Sequence, residues 1–464
     1  VTTTTSEGTG DGAPDVPEGG SVEIPRPMGA PFFTSDPARS TSRSGSPTKS
    51  NRRALGELAA VVVVAAVVAR FTGLGDIMLV IACIVVMIMV HELGHLLAAK
   101  HGGMKVTEYF LGFGPRLWSI TRGETEYGIK LLPLGGYVKI PGMTNLEVVD
   151  PADEARTYRQ QPFHARLLVA VAGSAMHFLM AFVLLWGLLC LVGTTDNSRI
   201  SIQSTLPVAG QSGPAAKAGL LAGDVIVSVD GHRIGSNADL LLRAIQDHPD
   251  QPTTWVVERG GRTVTLRVVP VNGRTLHESG VDAPAGSAPY GIVGVGLGSP
   301  TVTRSPGAAL VGAGREFTHV AWASVAGIGH LFAPQAVTQR FDQVTSAKAA
   351  NQAATNGTRV ESIVGAVRTA GQAAHASVAD LVLILVSLNI FIGIFNLFPM
   401  LPLDGGHVAI AVYEKIRTGR RKVAYHADVT RLMPFTWLMV AFLGVLFVTS
   451  LLTDILHPMA NPFN

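Results

Sequence analysis

Fourteen consecutive apolar residues, 77–90, run directly into the pentapeptide His91-Glu92-Leu93-Gly94-His95. A helix that is hydrophobic all round must lie in lipid or in a deep core. Three further apolar blocks, 167–193, 381–403 and 432–452, come near or exceed the roughly 20 residues that cross a bilayer. A shorter one, 59–69, follows Glu57 and reads equally as a span or an interfacial helix. The expected fold is therefore a polytopic α-helical membrane protein, with four core transmembrane helices and a candidate fifth at 54–70. Charged residues make up only 15% of the 464, against about 25% in soluble domains. A net charge of +3 gives no reason to expect nucleic acid as a partner. Cys83 and Cys190 sit far apart in apolar runs, which suits buried small side chains rather than a disulfide or metal pair.

The position of the pentapeptide decides its meaning. At about 1.5 Å per residue, the apolar run descends roughly 21 Å into a hydrocarbon layer about 30 Å thick. Ionisable groups at that depth are costly and mark function. His91 and His95 are four residues apart and share a helix face, so both imidazoles can reach one ion. Glu92 stands beside them as a general base. This is the spacing of zinc peptidases. A catalytic zinc wants a third protein ligand, and Asp404 in Asn396-Leu397-Phe398-Pro399-Met400-Leu401-Pro402-Leu403-Asp404-Gly405-Gly406-His407 is the candidate. Pro399 and Pro402 should break the helix, and Gly405-Gly406 should permit close backbone approach. A helix-end aspartate at the interface is the bland alternative, and His407 ranks below Asp404 as a ligand.

Basic residues orient the spans. Lys100, Lys105, Arg116, Arg122, Lys130 and Lys139 follow the first, and Lys415, Arg417, Arg420, Arg421, Lys422 and Arg431 precede the last. Both connections read as cytoplasmic, which makes 194–380 extracytoplasmic. The chain then divides into a disordered tail 1–53, the extra helix 54–70, a first core part 74–193, a β-rich module 194–298, an extracytoplasmic linker 299–378 with a mobile stretch near 335–357, and a second core part 379–464. In the module, Gly223-Asp224 leads into Val225–Val229, and a hairpin is expected around Gly260-Gly261, with a closing strand near Gly291-Ile292-Val293-Gly294-Val295. Together these segments resemble a PDZ domain.

HELGH inside one span, with N-x-x-P and L-D-G-G at a later one, resembles the site-2 protease family of intramembrane zinc metalloproteases. The PDZ-like insert fits its bacterial branch. Gly112-Phe113-Gly114-Pro115, Arg122-Gly123-Glu124-Thr125-Glu126-Tyr127-Gly128 and Pro133-Leu134-Gly135-Gly136-Tyr137-Val138 are most similar to actinobacterial members. The resemblance implies Zn2+ on His91, His95 and Asp404, and Glu92 as catalytic base. It also implies substrate contacts at Asn396, Pro399, Gly135 and Gly136, with 106–140 forming a membrane-associated β-hairpin. It further implies a multi-pass protein of the plasma or inner membrane, with the active site near the cytoplasmic side. Its substrates would be transmembrane proteins of the anti-sigma-factor kind, already trimmed by a site-1 protease. In Ala172-Gly173-Ser174-Ala175-Met176-His177, relatives carry proline and asparagine where Ser174 and His177 stand. His177 is open between a substrate contact, a fourth metal neighbour and a packed core residue, with ligation the least favoured.

Two competing readings remain at this level. One is a PDZ-bearing membrane adaptor with a non-catalytic metal site, against which the intact Glu92 argues. The other is a tethered peptidase acting on soluble substrates, which would need HELGH beyond the apolar run.

Overall fold

A computed structural model of the chain describes residues 56, 74–143, 147–275, 289–333, 335–421 and 427–463. The tail 1–53 and, apart from Gly56, the candidate helix 54–70 lie outside them. The first apolar run forms helix α1, Gly75–His101, which carries HELGH in its C-terminal half. Strands β1 (Glu108–Arg122) and β2 (Thr125–Lys139) follow. They curl on themselves, so that residues 108–111 lie between 126–129 on one side and 136–139 on the other. Gly112, at φ 88°, makes this curl possible, since a side chain there would meet the Leu132 carbonyl at 2.6 Å. The sheet is seated on α1: Tyr109 Oη donates to the Met89 carbonyl at 2.7 Å. Tyr109, Tyr127 and Val138 also pack on the buried Leu96, Ala99, Met104 and Val169.

Helix α2, Phe163–Gly187, supplies the second span and continues to Val192. The β module has strands β3 (Ile200–Thr205), β4 (Val225–Val229), β5 (Thr253–Arg259), β6 (Arg262–Val268) and β7 (Val295–Gly298), with helix α3 (Ala238–Gln246). They form an antiparallel sheet in the order β7-β3-β4-β5-β6, with His232–Arg233 pairing onto β4. Trp255, Val257, Ile202, Ile226 and Leu241 fill one core. The expected hairpin is there. Gly260 and Gly261 take φ of 56° and 78°, the two positive values a tight β5–β6 turn requires. Asp224, buried at the start of β4, receives Arg259 Nε at 2.6 Å and Nη2 at 2.7 Å, and also the Leu221 N–H at 2.9 Å. Burial opposes its charge, but the Arg259 fork and the Leu221 N–H outweigh it and hold the carboxyl below the usual range.

The stretch 299–378, read as linker, holds helices α4 (Pro306–Leu331), α5 (Ala336–Thr345), α6 (Ala347–Thr355) and α7 (Ile363–Ala376). Arg315-Glu316 interrupts the apolar character of α4, which hides it from a search for apolar runs. Its buried Ala309 and Ala313 nevertheless pack with Ala181, Leu185, Val386 and Ile390 of the spans. Helix α8, Val378–Asn396, is the third span. It stops seven residues before the apolar block does, because 397–403 turn where Pro399 and Pro402 deny the helix its donors. Helix α9, Asp404–Arg421, and helix α10, Met433–Leu456, complete the order. Among the described residues four helices, Gly75–His101, Phe163–Val192, Val378–Asn396 and Val429–Leu456, are long and apolar enough to cross a bilayer, and the bent pair Pro306–Leu331 with Ala336–Thr345 makes five if it counts as one span. The protein is a multi-pass membrane protein with an added β domain.

Candidate metal centre

Three side chains from two helices meet at one point. His91 and His95 come from one face of α1, and Asp404 is the first residue of α9. His95 Nε2 lies 3.2 Å from His91 Nε2, and Asp404 Oδ2 lies 3.4 and 3.3 Å from the two nitrogens. Zinc bonds of about 2.0–2.1 Å in a tetrahedron put neighbouring ligand atoms about 3.3 Å apart. The donor set thus has the size and chemistry of a three-ligand zinc site. His95 Nδ1 donates to the Val169 carbonyl at 2.8 Å, which leaves the Nε2 lone pair facing the other donors. Asp404 Oδ2 is buried and accepts no hydrogen bond, as an oxygen kept for a cation would be.

The geometry depends on glycines. A Cβ on Gly173, in the middle of α2, would lie 2.4 Å from His91 Cε1 and 2.5 Å from His95 Nε2. Only a residue without a side chain lets α2 pass so close behind both rings. Gly94 does the same from α1, where a Cβ would meet the Ala172 carbonyl at 2.6 Å. Gly405 and Gly406 serve the turn: a Cβ would come within 2.3 Å of the Leu397 carbonyl at one and 2.6 Å of Leu401 N at the other. The expected close approach therefore falls between α9 and the 397–401 backbone, which sets where Asp404 begins.

The other expected site residues distribute around this point. Gly136, on the outer strand 136–139, is set against Glu92, whose Cγ would be 3.2 Å from a Cβ there. Gly135 is next to Phe113, at φ 154°. Asn396 closes α8. Pro399 lines a cavity of about 520 Å³ with Met400, Ile410, Tyr413 and Phe435. His407 is turned edge-on to Tyr158, 6.2 Å between ring centres, and is not part of the ligand cluster. His177 is buried 5.0 Å from the His91 ring and bonds Asn389 Oδ1 through Nδ1 at 2.8 Å. Asn389 Nδ2 is committed to the Leu385 carbonyl, so its oxygen accepts and His177 Nδ1 donates. Gly173 is marked in the sequence only by the string Ala172-Gly173-Ser174, and nothing in the sequence pairs Asn389 with His177, 212 positions away.

A bundle of spans with a two-histidine, one-aspartate cluster and an adjacent glutamate defines a membrane metallopeptidase. The profile described as "Peptidase family M50" matches residues 79–440, and the chain belongs to that family, the site-2 proteases. The zinc metalloprotease Rip1 of Mycolicibacterium smegmatis is 32% identical over 416 residues, covering 84% of this chain and 98% of that protein. Rip1 of Mycobacterium tuberculosis strain Erdman is 31% identical over 406 residues, covering 82% and 97%. The protein is a zinc metalloprotease.

Proposed function

We propose that the protein hydrolyses peptide bonds within or beside transmembrane segments, with His91, His95 and Asp404 as zinc ligands and Glu92 as general base. The observation that carries this is the approach of the three donors to 3.2–3.4 Å of one another, two of them on a helix whose preceding fourteen residues are apolar. Zinc, when bound, supplies Lewis-acid polarisation of the scissile carbonyl and lowers the pKa of water toward about 7. Glu92 takes the proton of the attacking water and returns it to the leaving amine. His95 keeps its orientation through Val169, and Gly136 keeps the strand 136–139 against Glu92. Among the described residues that strand has a neighbour on one side only, at 108–111. A substrate helix must unwind before attack, and pairing with this edge satisfies its freed backbone groups. Gly135, Gly136, Asn396 and Pro399 would meet it there.

In this reading the active site faces the cytoplasm, 194–298 is an extracytoplasmic PDZ-like module, and the natural substrates are single-span regulatory proteins of the anti-sigma-factor kind. The module filters out substrates not yet trimmed by an upstream protease. The test is to reconstitute the protein in liposomes with a single-span substrate and map the products by mass spectrometry. A cut between residues of the apolar segment or its cytoplasmic border is expected. Cuts confined to the soluble flanks would overturn the reading.

A further inference from the structure

Away from the metal centre, helices α4 and α5 meet at 86° and enclose a cavity of about 240 Å³ with the loop before α7 and Phe391 of α8. Its wall holds Arg340, Arg359, Gln335, Gln339, Gln343 and Thr358. Among the described residues lining it there is no carboxylate. Arg340 is 7% exposed, and its Nε has no hydrogen-bond partner. Among the described residues no acidic group pairs with it. The Arg359 side chain is 2% exposed, and Asp454 neutralises it at 2.7 Å. Its Nη2 also donates to the Thr453 and His457 carbonyls at the end of α10. Its Nε and Nη1 remain buried and unpartnered.

A buried guanidinium with no counter-charge is costly unless an anion completes it. We propose that this cavity is a binding site for a phosphate-class oxyanion, with Arg340 supplying the uncompensated charge and Arg359 further donors. Several donors from separate elements match the three or four oxygens of a phosphate better than the two of a carboxylate. A cavity of about 240 Å³ is enough for a headgroup phosphate and too little for a whole lipid. Arg359 is anchored to the last carbonyls of a span, the level at which lipid headgroups lie. The phosphate can come from a phospholipid or from solution, and the test separates the two.

Full-length protein is delipidated in a non-ionic detergent, and its thermal unfolding is followed at matched ionic strength. The additives are inorganic phosphate, dioctanoyl phosphatidylglycerol or dioctanoylglycerol, which has the same chains and no phosphate. Phosphatidylglycerol raises Tm and dioctanoylglycerol does not. An equal rise with inorganic phosphate assigns the site to the free anion, and its absence assigns it to the lipid. Arg340→Met melts no lower than the parent without additive, because an unpaired buried charge is removed. It binds at least about ten-fold more weakly and so loses the rise. Arg340→Lys keeps a point charge and retains part of the rise, and Arg315→Gln on the exposed side of α4 retains all of it. No rise with either phosphate compound overturns the proposal, as does an undiminished rise in Arg340→Met. An Arg340→Met protein that melts lower without additive also overturns it, since Arg340 would then have an internal partner.

Discussion

Replacing Gly173 by alanine adds one methyl group, and the structure fixes where it must go. The new Cβ would stand 2.4 Å from His91 Cε1 and 2.5 Å from His95 Nε2, whereas ordinary contact begins near 3.4 Å. Relief requires either both rings or the whole of α2 to retreat by about 1 Å, several times the roughly 0.2 Å tolerance of a metal–ligand bond. The rings cannot rotate away freely, because His95 is held to the Val169 carbonyl of that same helix. Zinc affinity should fall at least about 10–100-fold, and misplacement of about 1 Å should lower turnover about 100-fold. The helix itself gains, since alanine is a better helix former than glycine by about 1 kcal/mol. Competition titration against a chromophoric zinc chelator, with circular dichroism as the control for folding, separates the two effects. A Gly173→Ala protein with parent affinity for zinc and parent turnover would refute the packing argument.

Other consequences follow from the same geometry. Chelation with phenanthroline should stop cleavage and added zinc should restore it without loss of helix signal, because the spans are held by apolar packing between α1, α2, α7 and α8. Glu414→Ala should destabilise the core by about 3–5 kcal/mol by leaving the buried Arg166 unpaired, and Arg166→Met with Glu414→Leu should recover most of it; calibrated thermal unfolding in detergent reads both. Asp224 has its folded pKa depressed, so its stabilisation is complete above the unfolded value near 3.9 and is lost as pH falls through the folded value. Protection of the β5 amides, taken relative to the intrinsic exchange rate at each pH, should therefore fall below about pH 4, and Asp224→Asn should show lower protection at neutral pH and lose that dependence.

What the sequence reveals here, and what it hides, has a physical pattern. Long apolar runs and an i, i+4 histidine pair are local properties, so all four spans and the ligand pair are legible from residues alone. Asp404 is legible because proline and glycine punctuate the chain around it, although it opens α9 rather than ending α8. Helices α4 to α7 escape because their small and charged residues imitate a linker, and they gain their apolar partners only in three dimensions. Gly173, Asn389 and Arg340 escape for the same reason: the role of each is defined by a neighbour 50 or more positions away or by the lack of one.

The proposed mechanism assigns proton transfer to Glu92 at a zinc held by His91, His95 and Asp404. Paired measurement of zinc content and cleavage in Glu92→Gln, reconstituted in liposomes with a single-span substrate, tests it most directly. The expected result is one zinc per chain, as in the parent, and no product. Cleavage at the parent rate by the zinc-loaded variant would contradict it.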